Sequence, residues 1–295
     1  MSASASHTAR QVHAVRQLPQ HLAYLIDAGL ECLEGRRISD ERIHRARKQI
    51  KKARATVRLL RPGLTDRQYR AVNIRLRDAA KPLSAVRDAA VLRKAFQHIQ
   101  TGARGSGTRH GVLEIARMLA NEQSRAHQQV AGRHGVPRSR RLLRDVLART
   151  YRFPVPKKGG STIGAGVRLI YRQGRKALKA ANTTPSDTAF HEWRKQVKYL
   201  RYQIQLLRAM WPAPLDALTR ELQALGDYLG EDHDLAVLRA KLMARGSPLG
   251  GIPGRRALFA KLDRRRVALR RKALQAGMRI YEPPSASFCS RILPI

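Results

Sequence analysis

Residues 44–54 read HRARKQIKKAR, and residues 191–201 read HEWRKQVKYLR. Both stretches fit the pattern H-x-x-R-K-Q-[I/V]-K-x-x-R, in which x is any residue. A second match follows each of them at nearly the same offset, where RDAAVL at residues 87–92 corresponds to HDLAVL at residues 233–238. Self-similarity of this kind indicates that the chain is an internal duplication.

The rest of the sequence is typical of helices. Ala, Leu, Arg, Gln and Lys, which are good helix formers, are abundant, and no segment alternates apolar and polar residues with period two. Pro and Gly predict a helix end at residues 61–63, and Thr65 with Gln68 predicts a capping box that opens the next helix. Residues 153–166, rich in Gly and Pro, are predicted to be a linker. Thr184 is predicted to cap a later helix.

These features predict an all-α fold of two bundles, each with room for about four helices. If the two four-helix bundles pack pseudo-symmetrically, the two repeated basic motifs line one basic central pore or groove. The first bundle is assigned to residues 1–152 and the second to residues 153–280. Residues 281–295, which contain Pro283 and Pro284, are expected to form a non-helical C-terminal tail.

On a helix, the basic positions of each motif share one face. With the His at 0°, the other basic residues lie between about −80° and +40°. The apolar positions, from Ala46 to Leu60 and from Trp193 to Leu207, lie opposite and are expected to face a bundle core. The basic face comprises His44, Arg47, Lys48, Lys51, Arg54 and Arg58 in the first copy and His191, Arg194, Lys195, Lys198 and Arg201 in the second.

Such a face needs an anion to stabilise it. Like charges four residues apart destabilise a helix, and no Asp or Glu lies on the basic face of either copy. Phosphate oxygens accept the planar Arg fork bidentately, and Lys acts as a point charge. A solvated surface is the plain alternative, but the basic positions recur in both halves while the apolar face varies in size.

The whole composition agrees with a polyanionic partner. The chain carries 59 Lys and Arg against 21 Asp and Glu, a net charge of +38. Nucleic acid, an anionic membrane surface and a smaller polyanion such as polyphosphate all satisfy this charge, and net charge alone does not choose among them.

The duplicated H-x-x-R-K-x-x-K-x-x-R element in a basic helical chain resembles the CHAD family, the conserved histidine α-helical domain. The resemblance implies two four-helix bundles, inorganic polyphosphate bound in a basic central pore, and, as in some members, association with polyphosphate granules. By this resemblance, residues 44–54 and 191–201 supply the two basic helices. Some members carry a triphosphate tunnel domain with an E-x-E-x-K element. None occurs in this sequence, so the stand-alone form is expected.

Several alternatives remain beside polyphosphate binding. Non-specific binding of RNA or DNA through phosphates is the main one, since it needs no motif, and metal chelation by the histidines is a lesser one. Asp227, Glu231, Asp232, His233 and Asp234 form an acidic cluster at a predicted helix junction, where capping and Arg pairing are expected. Residues 255–272 are expected to form a broad basic outer patch. No Walker, G-x-S-x-G or H-E-x-x-H motif occurs, so a binding module with no metal, cofactor or catalytic residue is predicted.

The sequence also bears on where the protein resides. It contains two cysteines, Cys32 and Cys289, which cannot build a disulfide framework. No stretch approaches the roughly 18 apolar residues of a membrane span, and the first 16 residues lack the apolar region of a secretory signal. A cytoplasmic protein is expected, and the resemblance adds association with polyphosphate granules.

Overall fold

Helices account for nearly all of the backbone in the computed structural model, which describes residues 2–35, 37–100, 106–132, 134–151, 153, 159–208, 212–244 and 255–293. The all-α class is confirmed, and the described residues contain no strand. The helices are α1 (Ser2–Glu31), α2 (Asp40–Leu60), α3 (Asp66–Ala80), α4 (Ser84–Gln100), α5 (Ser106–Ala131), α6 (Val136–Thr150), α7 (Gly159–Thr183), α8 (Asp187–Arg208), α9 (Pro212–Met243), α10 (Arg255–Tyr281) and α11 (Ser285–Ile292).

The ends of α2 and α3 follow from their local sequences. The Ser39 hydroxyl accepts a hydrogen bond from the Arg42 amide at 3.3 Å and caps α2. The helix gives way to a short 3-10 turn at Arg61–Gly63, as the Pro and Gly there predict. The capping box that opens α3 is confirmed, because Thr65 and Gln68 each accept a hydrogen bond from the other's backbone amide.

The apolar faces of the two motif helices, α2 and α8, lie in the core as predicted. The α2 face packs mainly against α1, α3, α4 and α6, and the α8 face packs against α7, α9, α10 and α11. Burial of these faces turns the basic positions away from both cores. The buried positions, each at most 2% exposed, are Ala46, Ile50, Ala53, Val57 and Leu60 on α2 and Trp193, Val197, Leu200, Ile204 and Leu207 on α8.

A third apolar cluster joins the two parts of the chain. Leu92 and Phe96 of α4 pack with Leu119 of α5, Leu238 of α9 and Leu262 of α10. The first turns of α4 and the second half of α9, which carry the shorter repeated motif, are thereby held near each other. Six α-helices precede residue 152 and five follow it among the described residues, a finer division than four per half. The boundary and the pseudo-symmetry remain predictions.

The predicted linker is wrong over much of its length. Helix α7 begins at Gly159 and runs through the glycines of this segment, while residues 154–158 lie outside the described residues. A Cβ atom at Gly166 would lie 2.2 Å from the carbonyl oxygen of Leu59. The glycine therefore allows α7 to pack directly on the end of α2, where a larger side chain would force the two helices apart.

Two further local predictions are corrected. Helix α8 begins at Asp187, and its cap is Ser186 instead of Thr184, because the Ser186 hydroxyl accepts from the Ala189 amide at 3.1 Å. The C-terminal segment is helical from Ser285 to Ile292. The ring of Phe288 stacks on Tyr171 with 3.9 Å between centroids, so packing against α7 stabilises a short helix that the prolines alone argued against.

Candidate functional site

Helices α2 and α8 contact each other along their basic faces. The Gln203 side-chain amide donates to the Ala55 carbonyl oxygen at 3.4 Å. The Arg58 guanidinium carbon lies 4.1 Å from the ring centre of Tyr199, a cation–π contact between the two helices. The basic faces of the two motifs therefore meet in one place.

The side chains of four helices converge there and form what we call the basic cluster. Within it, the charge of one side chain lowers the pKa of a neighbouring one, from His44 on α2 to Lys198 on α8. Besides burial, the charges of Arg87 and Lys51 lower the pKa of His44. The pKa of Lys198 is lowered by burial, Arg194 and Lys51, so the series continues from α2 to α8. The cluster consists of His44 and Lys51 on α2, Arg87 on α4, His191, Arg194 and Lys198 on α8, and His233 on α9.

The two lysines at the centre of the basic cluster are held in an unfavourable environment. Burial and the nearby charges of Arg47 and Arg194 lower the pKa of Lys51 to about 8. Burial, with Arg194 and Lys51, lowers the pKa of Lys198 to about 6. Neither amine has a hydrogen bond or ion pair with any described residue. The free protein therefore keeps positive charge at this position only at a cost in folding free energy.

Two carboxylates adjoin the basic cluster without neutralising it. An oxygen of Asp234 on α9 lies 4.0 Å from the guanidinium of Arg194, and the charge of Asp88 on α4 acts on the same Arg194. Burial raises the pKa of Asp234 against the opposing effects of Arg194 and Lys198. The charge of Asp88 also acts on Arg47 of α2. The first arginine of each motif thus has an aspartate of the shorter repeat near it.

The histidines of the second motif form a pair. The Nδ1 atoms of His191 and His233 lie 3.3 Å apart, and their ring centroids are 4.7 Å apart. Burial, followed by the charge of Arg194, lowers the pKa of His233 to about 4 and also lowers the pKa of His191. Among the described residues, no three His, Cys, Asp or Glu side chains are grouped as a metal site would require.

Several arginines keep buried N–H donors unused. The Nε atoms of Arg47, Arg58, Arg194 and Arg201 are buried and have no hydrogen-bond partner within the described part of the chain. A buried donor without a partner costs roughly 1–3 kcal/mol. An entering phosphate oxygen is the kind of acceptor that removes this cost.

The predicted site residues do not all serve in the same way. Arg47 is only 8% exposed, and its Nη1 donates to the Ala80 carbonyl oxygen at 3.1 Å, so it also anchors α2 to the end of α3. Lys195 pairs with Glu192 at 2.8 Å on the outer edge of α8. Other predicted residues have polar partners or lie at the rim: Arg54 bonds Asn73, Arg201 bonds Gln223, and Lys48 and His44 are exposed.

Comparison with known proteins identifies the family. The family model of the CHAD domain matches residues 16–243. The chain belongs to the CHAD domain family. A similar solved structure is the crystal structure of the CHAD domain from the plant Ricinus communis, with 16% sequence identity and a TM-score of 0.53 over 96% of this chain and 92% of that one. That likeness supports the shared fold. No curated protein sequence matches the chain.

The motif analysis did not assign the shorter repeat, at residues 87–92 and 233–238, to the candidate site, although the sequence contained an indication of it. Arg87 with Asp88 and His233 with Asp234 open the shorter repeat, which served only as evidence of duplication. Their placement beside α2 and α8 shows that this repeat supplies the other two sides of the basic cluster. A basic residue followed by Asp, at nearly the same offset after each motif, is the pattern that would have identified them.

The acidic cluster predicted around His233 is divided by the helix on which it lies. Helix α9 is continuous from Pro212 to Met243, so the predicted junction is wrong. Asp234 turns toward Arg194, whereas Asp232 is buried and accepts from Arg266 at 3.0 Å and Arg270 at 3.1 Å. The expected pairing with arginine is confirmed for Asp232.

The basic segment at residues 255–272 serves in part as a packing element. Arg266 and Arg270 of α10 face inward and bond Asp232 and Asp187, while Arg264, Arg271 and Lys272 are exposed.

None of the helices in the described residues is long and apolar enough to span a membrane.

Proposed function

We propose that this CHAD domain binds inorganic polyphosphate at the basic cluster, with the chain running along the groove between the basic faces of α2 and α8. The observation that carries the proposal is the position of Lys51 beside Lys198, two half-buried amines from different halves, neither of which has a hydrogen bond or ion pair with a carboxylate among the described residues. Folding does not account for this arrangement, because each charge destabilises the other. A bound anion accounts for it.

The chemistry of the surrounding side chains favours phosphate oxygens. Arginine presents a planar fork that fits a phosphate, and lysine adds a compact charge. Arg58 on α2 and Arg194 on α8 supply unused buried Nε donors. Polyphosphate carries a high density of charge and no bases, so it needs neither stacking platforms nor base-reading groups. The proposed role is binding, with no cofactor and no chemical turnover.

Competition between polyanions tests this proposal against non-specific binding of nucleic acid. We expect unlabelled polyphosphate to displace a fluorescent polyphosphate from the protein at a much lower phosphate concentration than tRNA or duplex DNA at the same salt. Contact with about eight phosphates implies a slope near −6 for log affinity against log salt concentration. Equal displacement by all three polyanions would favour the nucleic-acid alternative, and a slope near zero would contradict a phosphate site altogether.

We also propose that the protein associates with polyphosphate granules in the cytoplasm. A fluorescently tagged protein is expected to coincide with granules in cells that make polyphosphate and to spread evenly when polyphosphate synthesis is deleted. A tagged Lys51→Glu variant provides the matched control, because its folding should survive while its affinity falls. If that variant still associates with granules, localisation does not depend on the basic cluster.

A further inference from the structure

In the free protein, the cations of the basic cluster repel any additional positive charge placed among them. Lys198 lies in the middle of the basic cluster, with cations of α8 before and after it and Lys51 of α2 across from it. Asp234 is the only carboxylate among the main charges acting on it. A proton on this amine therefore meets repulsion from both sides of the groove, and an anion in the groove would reverse that balance.

The histidine pair limits its own charge by geometry. With 3.3 Å between the Nδ1 atoms of His191 and His233, one ring donates its N–H and the other accepts with a lone pair. Two fully protonated rings would point two N–H groups at each other. The pair therefore carries at most one extra proton in this arrangement, and a second proton requires a different acceptor, such as a phosphate oxygen.

We infer that polyphosphate enters this site together with protons, which Lys198 and the His191–His233 pair take up, so that binding tightens as the pH falls through the neutral range. This inference rests on the proposed function and adds a regulation of the same site. No step requires a metal, since the proton acceptors are the Lys198 amine and the two imidazole rings.

The pKa values of the two lysines in the free protein predict the same direction of pH dependence. The pKa of Lys198 is lowered to about 6 and that of Lys51 to about 8, in both cases mainly by burial. A bound polyanion favours the charged form and raises both values. Since the complex then holds more protons than the free protein, affinity rises as the pH falls and declines as the pH rises.

The other charges around these groups come from every helix that packs there. A bound polyanion favours the protonated form of any titratable group beside it, whether acid or base, so these groups do not reverse the sign of the pH dependence. The facing groups are Arg47, Lys48 and His44 on α2, Arg87 and Asp88 on α4, Asp187, Glu192, Arg194, Lys195 and Arg201 on α8, Asp234 on α9, and Arg266 and Arg270 of α10, which pair with Asp187.

The pH dependence of affinity in wild type and Lys198→Arg tests this inference. Arginine keeps its charge throughout, so it cannot take up a proton on binding. Lys198 alone should make wild-type affinity fall about fiftyfold from pH 6 to pH 8, and Lys198→Arg should lose that part of the fall. Lys179→Arg, at an exposed position of α7, should keep the wild-type ratio. Long polyphosphate at constant ionic strength minimises the contribution of terminal phosphates, which titrate near neutral pH.

A second measurement needs no variant. Binding enthalpies at pH 7.5 in buffers of different ionisation enthalpy give the number of protons taken up, and we expect about one or more per wild-type protein. Saturable binding with equal affinity at pH 6 and pH 8 and no proton uptake would overturn this inference and leave the proposed function standing. An unchanged pH ratio in Lys198→Arg would also overturn the role of Lys198. Absence of binding at pH 6 would overturn the proposed function and this inference together.

Discussion

Replacing both Lys51 and Lys198 by Glu is expected to weaken polyphosphate binding by about a thousandfold while the thermal midpoint of the free protein stays level or rises. Each charge-assisted contact contributes about 1.5–3 kcal/mol, and two lost contacts correspond to about two to four powers of ten in affinity. The carboxylates would also repel the ligand. Fluorescence anisotropy measures the first effect, and a thermal melt with circular dichroism measures the second.

The opposite directions of the two effects follow from the electrostatics of the basic cluster. In the free protein, the charges of Arg47, Arg194 and Arg87 act on Lys51, and those of Arg194, Lys51 and Arg201 act on Lys198. A carboxylate at either position would gain attraction to these arginines where the amine meets repulsion. Because both side chains point away from the buried faces of α2 and α8, the apolar packing is unaffected.

A control pair with the same change of charge distinguishes local contacts from net charge. Lys176 and Lys179 lie exposed on α7, and Lys176→Glu with Lys179→Glu lowers the net charge by the same amount. We expect this pair to weaken binding only a few-fold, since exposed charges beyond about 10 Å are screened at moderate salt. An equal loss in both pairs would mean that the protein attracts polyanions through its overall charge. Unfolding of the Lys51 and Lys198 variant would mean that these side chains support the fold.

The apolar pattern of the two motifs was sufficient to predict the orientation of both helices. Ala46 through Leu60 and Trp193 through Leu207 repeat at helical spacing, and the buried side of each helix follows from that spacing. The basic face then follows by exclusion. Periodicity is reliable here because α2 and α8 each bury one continuous stripe, whatever the sizes of the side chains.

Features that depend on tertiary packing could not be predicted in the same way. Glycines at residues 159–166 indicate flexibility when taken alone, yet Gly166 is required by the proximity of Leu59. Prolines before Ser285 suggest an irregular tail, yet the stacking of Phe288 on Tyr171 stabilises a helix there. In both cases the deciding partner is distant in the sequence, so local propensity gives the wrong answer.

Two of the four sides of the candidate site could be predicted from the sequence. The basic residues of α2 and α8 were identified by their charge pattern, whereas Arg87 and His233 lie in short motifs with an ordinary composition. Their contribution depends on the apolar cluster that joins α4 to α9. Nor could the sequence predict that Arg47 is shared between the site and the Ala80 carbonyl, because that contact spans 33 residues.

The most direct test of the central claim is the number of short polyphosphate chains bound per protein, measured by calorimetry for wild type, Lys51→Glu and Lys198→Glu. If α2 and α8 line one shared site, wild type binds one chain, and each single variant weakens that same binding event. The combined variant should then show strong coupling between the two positions. Two chains per wild-type protein, with each variant eliminating only one of them and leaving the other at full affinity, would contradict a shared site.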